Sequence, residues 1–283
     1  DHFGEVIWGA DLAQNTNIRD RYYFSDATKT DFSVFTKATF QVSNKFSGYL
    51  DLQGRFVNYQ TQGVTSDILS IDVDASFHFF NPKFGIFYTL NSTQSIYASF
   101  AVANKEPNRN DYVESTPNSR PKHETLYDTE IGYKQKSKKL NLGVTLYHMD
   151  YKNQLVLTGQ INDVGAYTRT NIANSYRTGI EIEANYKLSD KMNWNGNMTM
   201  SQNKIISHTT YIDNWDNWGQ EIVDYKNTDL AFSPNLICSS ILNYKLMKTT
   251  SINFISKYIG KQFIDNTSSE DRMLDYYLVN NGC

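Results

Sequence analysis

"RTGIEIEANYKL", Arg177–Leu188, decides the fold, because its two alternating sets of residues want opposite surroundings. In an extended chain Ile180, Ile182, Ala184, Tyr186 and Leu188 fall on one side and Glu181, Glu183, Asn185 and Lys187 on the other. The same two-residue period recurs along the chain. In "DFSVFTKATFQVS" Phe32, Val34, Ala38, Phe40 and Val42 oppose Asp31, Ser33, Lys37, Thr39, Gln41 and Ser43, with one aromatic, Phe35, on the polar side. In "ETLYDTEIGYK" Tyr127, Ile131 and Tyr133 oppose Asp128, Glu130 and Lys134; "LNLGVTLYHMDY" and "MNWNGNMTMSQ" repeat the arrangement.

These predicted strands run to ten residues or more. Strands of soluble sheets usually span about five or six residues, whereas those that cross a bilayer need about nine to eleven. The connections alternate in size as well. "NKFS" (44–47), "NSTQ" (91–94), "SKK" (137–139), "SDK" (189–191) and "MKT" (247–249) are tight polar turns, while long links are expected near 61–80, 105–123, 152–172, 207–228 and 261–272. Short turns at one end and long loops at the other are how transmembrane barrels are built. The expectation is an all-β, antiparallel barrel wall of about a dozen strands across 1–283, with no helical segment. The apolar rows would face lipid, and Asp128, Glu130, Glu181 and Glu183 the lumen. Tyr186 and Trp194, near the "SDK" turn, suit an interfacial aromatic girdle.

Composition agrees. Among 283 residues are 20 Tyr, 16 Phe and 4 Trp, and only 5 Pro and 15 Gly, which favours half-buried strands over disorder. A formal charge of −3 leaves no basic footprint for nucleic acid. No apolar run reaches the ~18 residues of a membrane helix. A mean hydropathy of −0.54 does not argue against a barrel, which shows lipid only alternate residues. The alternative, a soluble sandwich whose apolar face is core, rarely needs strands this long.

Read in order, "YYFSDATKTDFSVFTKATF" (22–40), "FFNPKFGIFYTL" (79–90), "YASFAVANKEPNRNDY" (97–112), "ETLYDTEIGYK" (124–134), "YKNQLVLTGQINDVGAYTRTN" (151–171), "SYRTGIEIEANY" (175–186) and "NTDLAFSPNL" (227–236) resemble the C-terminal barrel portion of TonB-dependent outer-membrane receptors. The resemblance implies a barrel of about 22 strands closed by an N-terminal plug, of which this chain supplies about 12 strands as a fragment. It implies energised import of a scarce nutrient (ferric siderophore, haem, cobalamin or glycan) across a Gram-negative outer membrane. The implied partners are that small-molecule ligand, the bilayer with its lipopolysaccharide, and the TonB complex, contacted through an N-terminal region not in this chain. A passive porin without TonB gating is the first alternative.

Catalytic and metal chemistry find little footing. The five histidines are scattered without ligand spacing, Cys238 and Cys283 give no CxxC, and no GxSxG or phosphate-cradling glycine loop occurs. No metal or cofactor is expected. Glu181 and Glu183 would lie about 7 Å apart on one strand face, within reach of glycosidase acids, but a polar lumen row explains them better. An enzyme barrel would have to rely on Asp111 with His123. The ligand-binding candidates are therefore in the long loops: Arg109, Asp111 and Tyr112 in 104–124, Tyr167 and Arg169 in 159–171, and Tyr211, Trp215 and Trp218 in 209–221.

Overall fold

The computed structural model describes residues 2–8, 21–64, 70–113, 115, 119–161, 167–214, 216 and 219–282. Its elements are β1 (His2–Trp8), β2 (Arg21–Gln41), β3 (Phe46–Val64), β4 (Ser70–Asn91), β5 (Gln94–Lys105), helix α1 (Arg109–Val113), β6 (Glu124–Lys136), β7 (Leu140–Ile161), β8 (Tyr167–Lys187), β9 (Met192–Asn214), β10 (Gly219–Asp229), β11 (Leu236–Lys245), β12 (Ser251–Ile259), β13 (Gln262–Phe263), β14 (Met273–Leu274) and β15 (Tyr277–Gly282). One sheet runs β1-β2-β3-β4-β5-β6-β7-β8-β9-β11-β12-β15, with β10 paired to β9; β13 and β14 form a separate ribbon. Every neighbour along the main path is antiparallel.

The register carries the two-face reading across the sheet. Ile131, Leu146, Ile180, Met200 and Leu236 are successive cross-strand partners, as are Tyr133, Val144, Ile182, Met198, Cys238 and Tyr258. Ile131 and Leu146 are more than half exposed. A face this apolar and this bare is built for lipid. On the other face Asp128, Met149, Arg177 and Asn203 share one row, and Gly132, Thr145, Glu181 and Thr199 another.

The polar face is the concave one. The Tyr97 hydroxyl on β5 lies 3.0 Å from Thr145 Oγ1 on β7, reaching across β6, although the two strands are about two spacings, or ~10 Å, apart. It passes over Gly132, where a Cβ would sit 2.0 Å from the Tyr97 ring. Gly179 is less forgiving, since a Cβ there would meet the Met200 carbonyl oxygen at 2.4 Å as well as the Tyr147 ring. A backbone oxygen cannot swing away, so Gly179→Val is expected to lower the barrel's stability by about 1–3 kcal/mol. The measurement is the temperature at which the complete protein loses its fast, unboiled gel migration. Gly54→Ala, with nothing nearer than 3.8 Å, should leave that temperature unchanged.

The tight turns fall where expected, and short side chains seal them. Ser43 Oγ accepts from the Phe46 amide, Asn91 Oδ1 from Thr93, Ser137 Oγ from Leu140 and Ser189 Oγ from Lys191.

The opposite end departs from expectation. Most of 61–80, 152–172 and 207–228 is strand rather than loop: β3 continues to Val64, β4 begins at Ser70, β7 continues to Ile161, and β9 and β10 pair up to Asn214 and Gly219. The physical reason is an inversion of the alternation. Up to Phe56, β3 sends apolar residues outward; beyond it Asn58, Gln60 and Gln62 point outward, while Val57 and Tyr59 are buried on the inner side. β4 inverts at Phe79 and Phe80, with Ile71, Val73 and Phe79 inside and Asp72 and Asp74 outside. Outward polar side chains bond across the ladder, Gln60 to Asp74 and Ser76 to Asn58. The strands thus leave the membrane without ending, and the inversion marks its outer boundary.

Above that boundary the inner face carries two small cores. Tyr59, Ile71, Val73 and Tyr112 form one, with Ala27, Ala75 and Val113 against it; Val156, Ile172, Ile205 and Leu230 form the other. Both depend on segments that fold inward. Against the expectation of no helix, α1 is a single helical turn within the link after β5. The segment following β10 docks through the Leu230 amide to the Asn203 carbonyl, and Asn266 donates to the Leu157 carbonyl.

Candidate functional site at the inner mouth

The link between β5 and β6 turns into the concave side and is held there by charge. Arg55, on the inner face of β3, donates through Nη1 and Nη2 to both Glu106 carboxylate oxygens, each at 2.8 Å, and through Nε and Nη2 to Asp31 at 3.0 and 2.5 Å. Lys29 Nζ adds a 2.7 Å bond to Glu106 Oε1, and the Arg55 guanidinium lies 6.0 Å from the Phe79 ring centroid. Two cations and two carboxylates balance, and the fork geometry of Arg55 suits two partners at once. The Glu106 side chain is only 9% exposed. Burial alone would raise its carboxyl, but the hydrogen bonds from Arg55 and Lys29 outweigh it and hold the group below its ordinary value of 4.5.

That shift has a sign in pH. A carboxyl whose folded value is depressed contributes stability that is complete above its ordinary value and is lost as pH falls through the folded one. The link between β5 and β6 should therefore stay docked at neutral pH and release as the pH falls below 4.5 and through the depressed value. Proteolysis of the complete protein across pH 3–7 checks this, and Glu106→Gln should flatten the profile.

Beyond Glu106 the helix is set by its own sequence. The Asn108 amide donates to Asp111 Oδ2 at 2.8 Å and the Asp111 amide to Asn108 Oδ1 at 3.1 Å, a reciprocal cap at the first turn. Tyr112 is 3% exposed and stacks on Tyr59 with ring centroids 5.3 Å apart; burial pushes its phenol up to about 12. Arg120 Nη1 donates to the Tyr112 carbonyl at 2.9 Å. Arg169 of β8 reaches Asp111 Oδ1 at 3.4 Å. The Lys122 amide donates to Asn171 Oδ1, and Asn171 Nδ2 donates back to the Lys122 carbonyl. Below the segment lies a cavity of about 440 Å³ lined by Tyr112, Phe77 and His123, with Arg120 and Lys122 set against Asp72 and Asp74. His123 sits edge-on to Phe77 and Phe79.

Of the eight loop residues singled out from sequence, Arg109, Asp111, Tyr112 and Arg169 are brought together here, Arg109 opening α1. Tyr112 and Asp111 face the segment's own anchors. Tyr167 and Tyr211 have backbone places in β8 and β9, opposite Ile161 and Ile222, with side chains outside the described set; Trp215 and Trp218 lie outside the described residues. Asp128, Glu130, Glu181 and Glu183 all lie on the concave face, lower down. Glu130 is 3.4 Å from the Tyr97 hydroxyl, and Glu183 covers Gly143. Glu183 also helps to line a polar concavity of about 830 Å³ near the tight turns, with Lys134, Asn185, Asn195 and Asn197. Asp111 and His123 have separate partners. Sequence reading missed Lys29, Asp31, Arg55 and Glu106; the available signal was an arginine on the polar side of β3 just before its alternation inverts.

A strand wall with a bare apolar outside, a polar inside and a loop folded into its mouth is distinctive, and a family model described as TonB dependent receptor-like, beta-barrel matches residues 4–280. The chain belongs to this family. Among solved structures, the siderophore receptor PiuA from Acinetobacter baumannii is similar with a TM-score of 0.74 at 19% identity, over 93% of this chain and 38% of that one. The ferric-catecholate import receptor Fiu from Escherichia coli K12 gives 0.66 at 17%, over 95% and 40%. The copper transporter OprC gives 0.68 at 14%, over 93% and 41%. At these identities the likeness is one of fold. The chain spans about two fifths of the length of each. No curated protein sequence matches it. The family is one of receptor barrels rather than enzymes.

Proposed function

We propose that this chain forms part of the wall and mouth of an outer-membrane receptor that captures a scarce small-molecule nutrient and imports it with energy delivered by TonB. The inward fold of residues 106–113 and 119–123 carries the reading. Its anchors, Arg55 and Tyr59, sit on rigid strands, and the cavity beneath it presents Arg120, Lys122 and His123 beside aromatic rings. With Asp72 and Asp74 beside Arg120 and Lys122, such a lining suits a polar, ring-bearing ligand, as a ferric siderophore or haem would be. Arg109, Arg169, Tyr167, Tyr211, Trp215 and Trp218 are proposed to meet the ligand first.

The test is uptake by Gram-negative cells expressing the complete receptor, with and without TonB, from a panel of ferric siderophores, haem, cobalamin and oligosaccharides. Accumulation of one ligand that needs both the receptor and TonB is expected. Accumulation that ignores TonB would move the protein to the passive porins.

A further inference from the structure

The wall is notched above the apolar belt. β4 pairs with β5 only from Asn91 back to Lys83, and the next residue, Pro82, has no amide with which to continue the ladder. β5 turns away with β6, and both stop short of the height that β4 reaches, β5 ending at Lys105 and β6 beginning at Glu124. From Ser70 to Asn81, β4 therefore pairs with β3 on one side and, among the described residues, with no strand on the other. The far side of the notch is filled, since Lys122 is bonded to Asn171 and Glu124 Oε2 accepts from the Leu155 amide of β7 at 3.0 Å. The near side is the cavity of about 440 Å³, with Val73, Ala75 and Phe77 of β4 on one bank and Pro121 and His123 on the other. Arg120, on that other bank, is turned onto the Tyr112 carbonyl.

The free edge of β4 is unguarded. The Phe80 carbonyl accepts from Asn104 Nδ2 at 3.3 Å on this side, so the alternate residues His78, Ser76, Asp74 and Asp72 turn their amides and carbonyls into the notch, over a length of about 26 Å. Exposed edges are normally blunted by lysine, proline or a bulge. Between Ser70 and Asn81 there is none of these, and the register with β3 runs unbroken. The same alternate residues carry their side chains outward, two of them the exposed carboxylates of Asp72 and Asp74. These accept from Gln62 and Gln60 of β3, and neither meets a cation among the described residues.

We infer that this edge takes up an extended polypeptide segment from outside the cell as an added strand, with cationic side chains outward against Asp72 and Asp74 and apolar or aromatic ones inward over Phe77 and His123. The backbone row offers hydrogen bonds to any extended chain, the two carboxylates select a basic one, and the cavity admits its inward side chains. The strand would share that cavity with the small ligand proposed above. The inference rests on the membrane reading, which puts this end of the wall outside, and does not require import.

The test uses the complete receptor in neutral detergent and three labelled heptapeptides: one alternating lysine with valine and tyrosine, one with glutamate in place of lysine, and the lysine peptide N-methylated at its lysines, whose amides would face β4. The lysine peptide is expected to bind about tenfold more tightly than the glutamate peptide and to slow hydrogen exchange at the Asp72, Asp74, Ser76 and His78 amides. N-methylation should remove both effects. Asp72→Asn/Asp74→Asn should bring the two charged peptides level. Ser76→Pro, which removes an amide facing the notch and none from the β3 ladder, should weaken the lysine peptide. No binding of the lysine peptide, equal binding of its N-methylated form, or unchanged exchange at those four amides with the peptide bound would overturn the inference. None of these outcomes bears on nutrient uptake, which has its own assay. Heat-modifiable migration of each variant shows that its barrel is folded, and its absence from the wild type would instead remove the membrane reading itself.

Discussion

Replacing Arg55 with alanine is expected to free residues 106–123 from the wall while the barrel stays folded. The substitution leaves Glu106, 9% exposed, with Lys29 as its one remaining cation, and leaves Asp31 without its fork. Removing one partner of a buried ion pair strands the other charge, and a cost of about 3 kcal/mol falls on the docked segment. Strand pairing below it does not depend on this network. Amide hydrogen exchange in the complete receptor should therefore show protection across 106–123 reduced by about a hundredfold, with β6 to β9 unaffected. Arg55→Lys should recover only part, because an ammonium cannot grip two carboxylates in a plane. Ligand affinity should fall in the same order, alanine below lysine below wild type. Unchanged protection in the alanine variant would show that the ion network decorates a segment held by other means.

The second large effect is at Tyr112. Tyr112→Ala empties the centre of the small core formed with Tyr59, Ile71 and Val73, where there is little else to collapse into the space. Truncating a buried aromatic costs about 3–5 kcal/mol, comparable to everything else that holds a segment of this length. Tyr112→Phe keeps the 5.3 Å stack on Tyr59 and should cost less than about 1 kcal/mol. Protease nicking between 106 and 123 in the alanine variant, and none in the phenylalanine variant, is the expected pattern. Because Arg55→Ala and Tyr112→Ala release the same segment, the double variant should lose less than the sum of the two.

Much of the wall was legible from alternation alone. Glu181, Glu183, Asn185 and Lys187 oppose Ile180, Ile182, Ala184 and Tyr186 in the ladder as they do in the sequence. Turn residues such as Ser43, Asn91 and Ser189 close their turns by local hydrogen bonds, which is why those positions could be read without the fold. The outer halves of the strands were misread because a chain whose alternation changes phase at Phe56–Val57 or Phe79–Phe80 looks, over a short window, as if it has lost its period. Two adjacent apolar residues within an otherwise alternating strand would have been the sign. The mouth network was hidden for a different reason. Lys29, Asp31, Arg55 and Glu106 are joined across separations of 24 to 77 residues, and no local pattern encodes a salt bridge at that range. The helical turn escaped because it is five residues long and capped by Asn108 and Asp111 in a stretch that reads as loop.

The continuation of the strands past the apolar belt fixes a height. β9 has 23 residues, which at about 3.3 Å each and a tilt of about 40° climb about 58 Å along the barrel axis. The apolar band takes up about 25 Å of that, so the hairpin tips stand about 30 Å clear of the hydrocarbon edge. A stiff turret of paired strands therefore stands well out in the aqueous layer, and a nutrient captured as proposed would have a long descent along the inner wall before it reached the level of the bilayer.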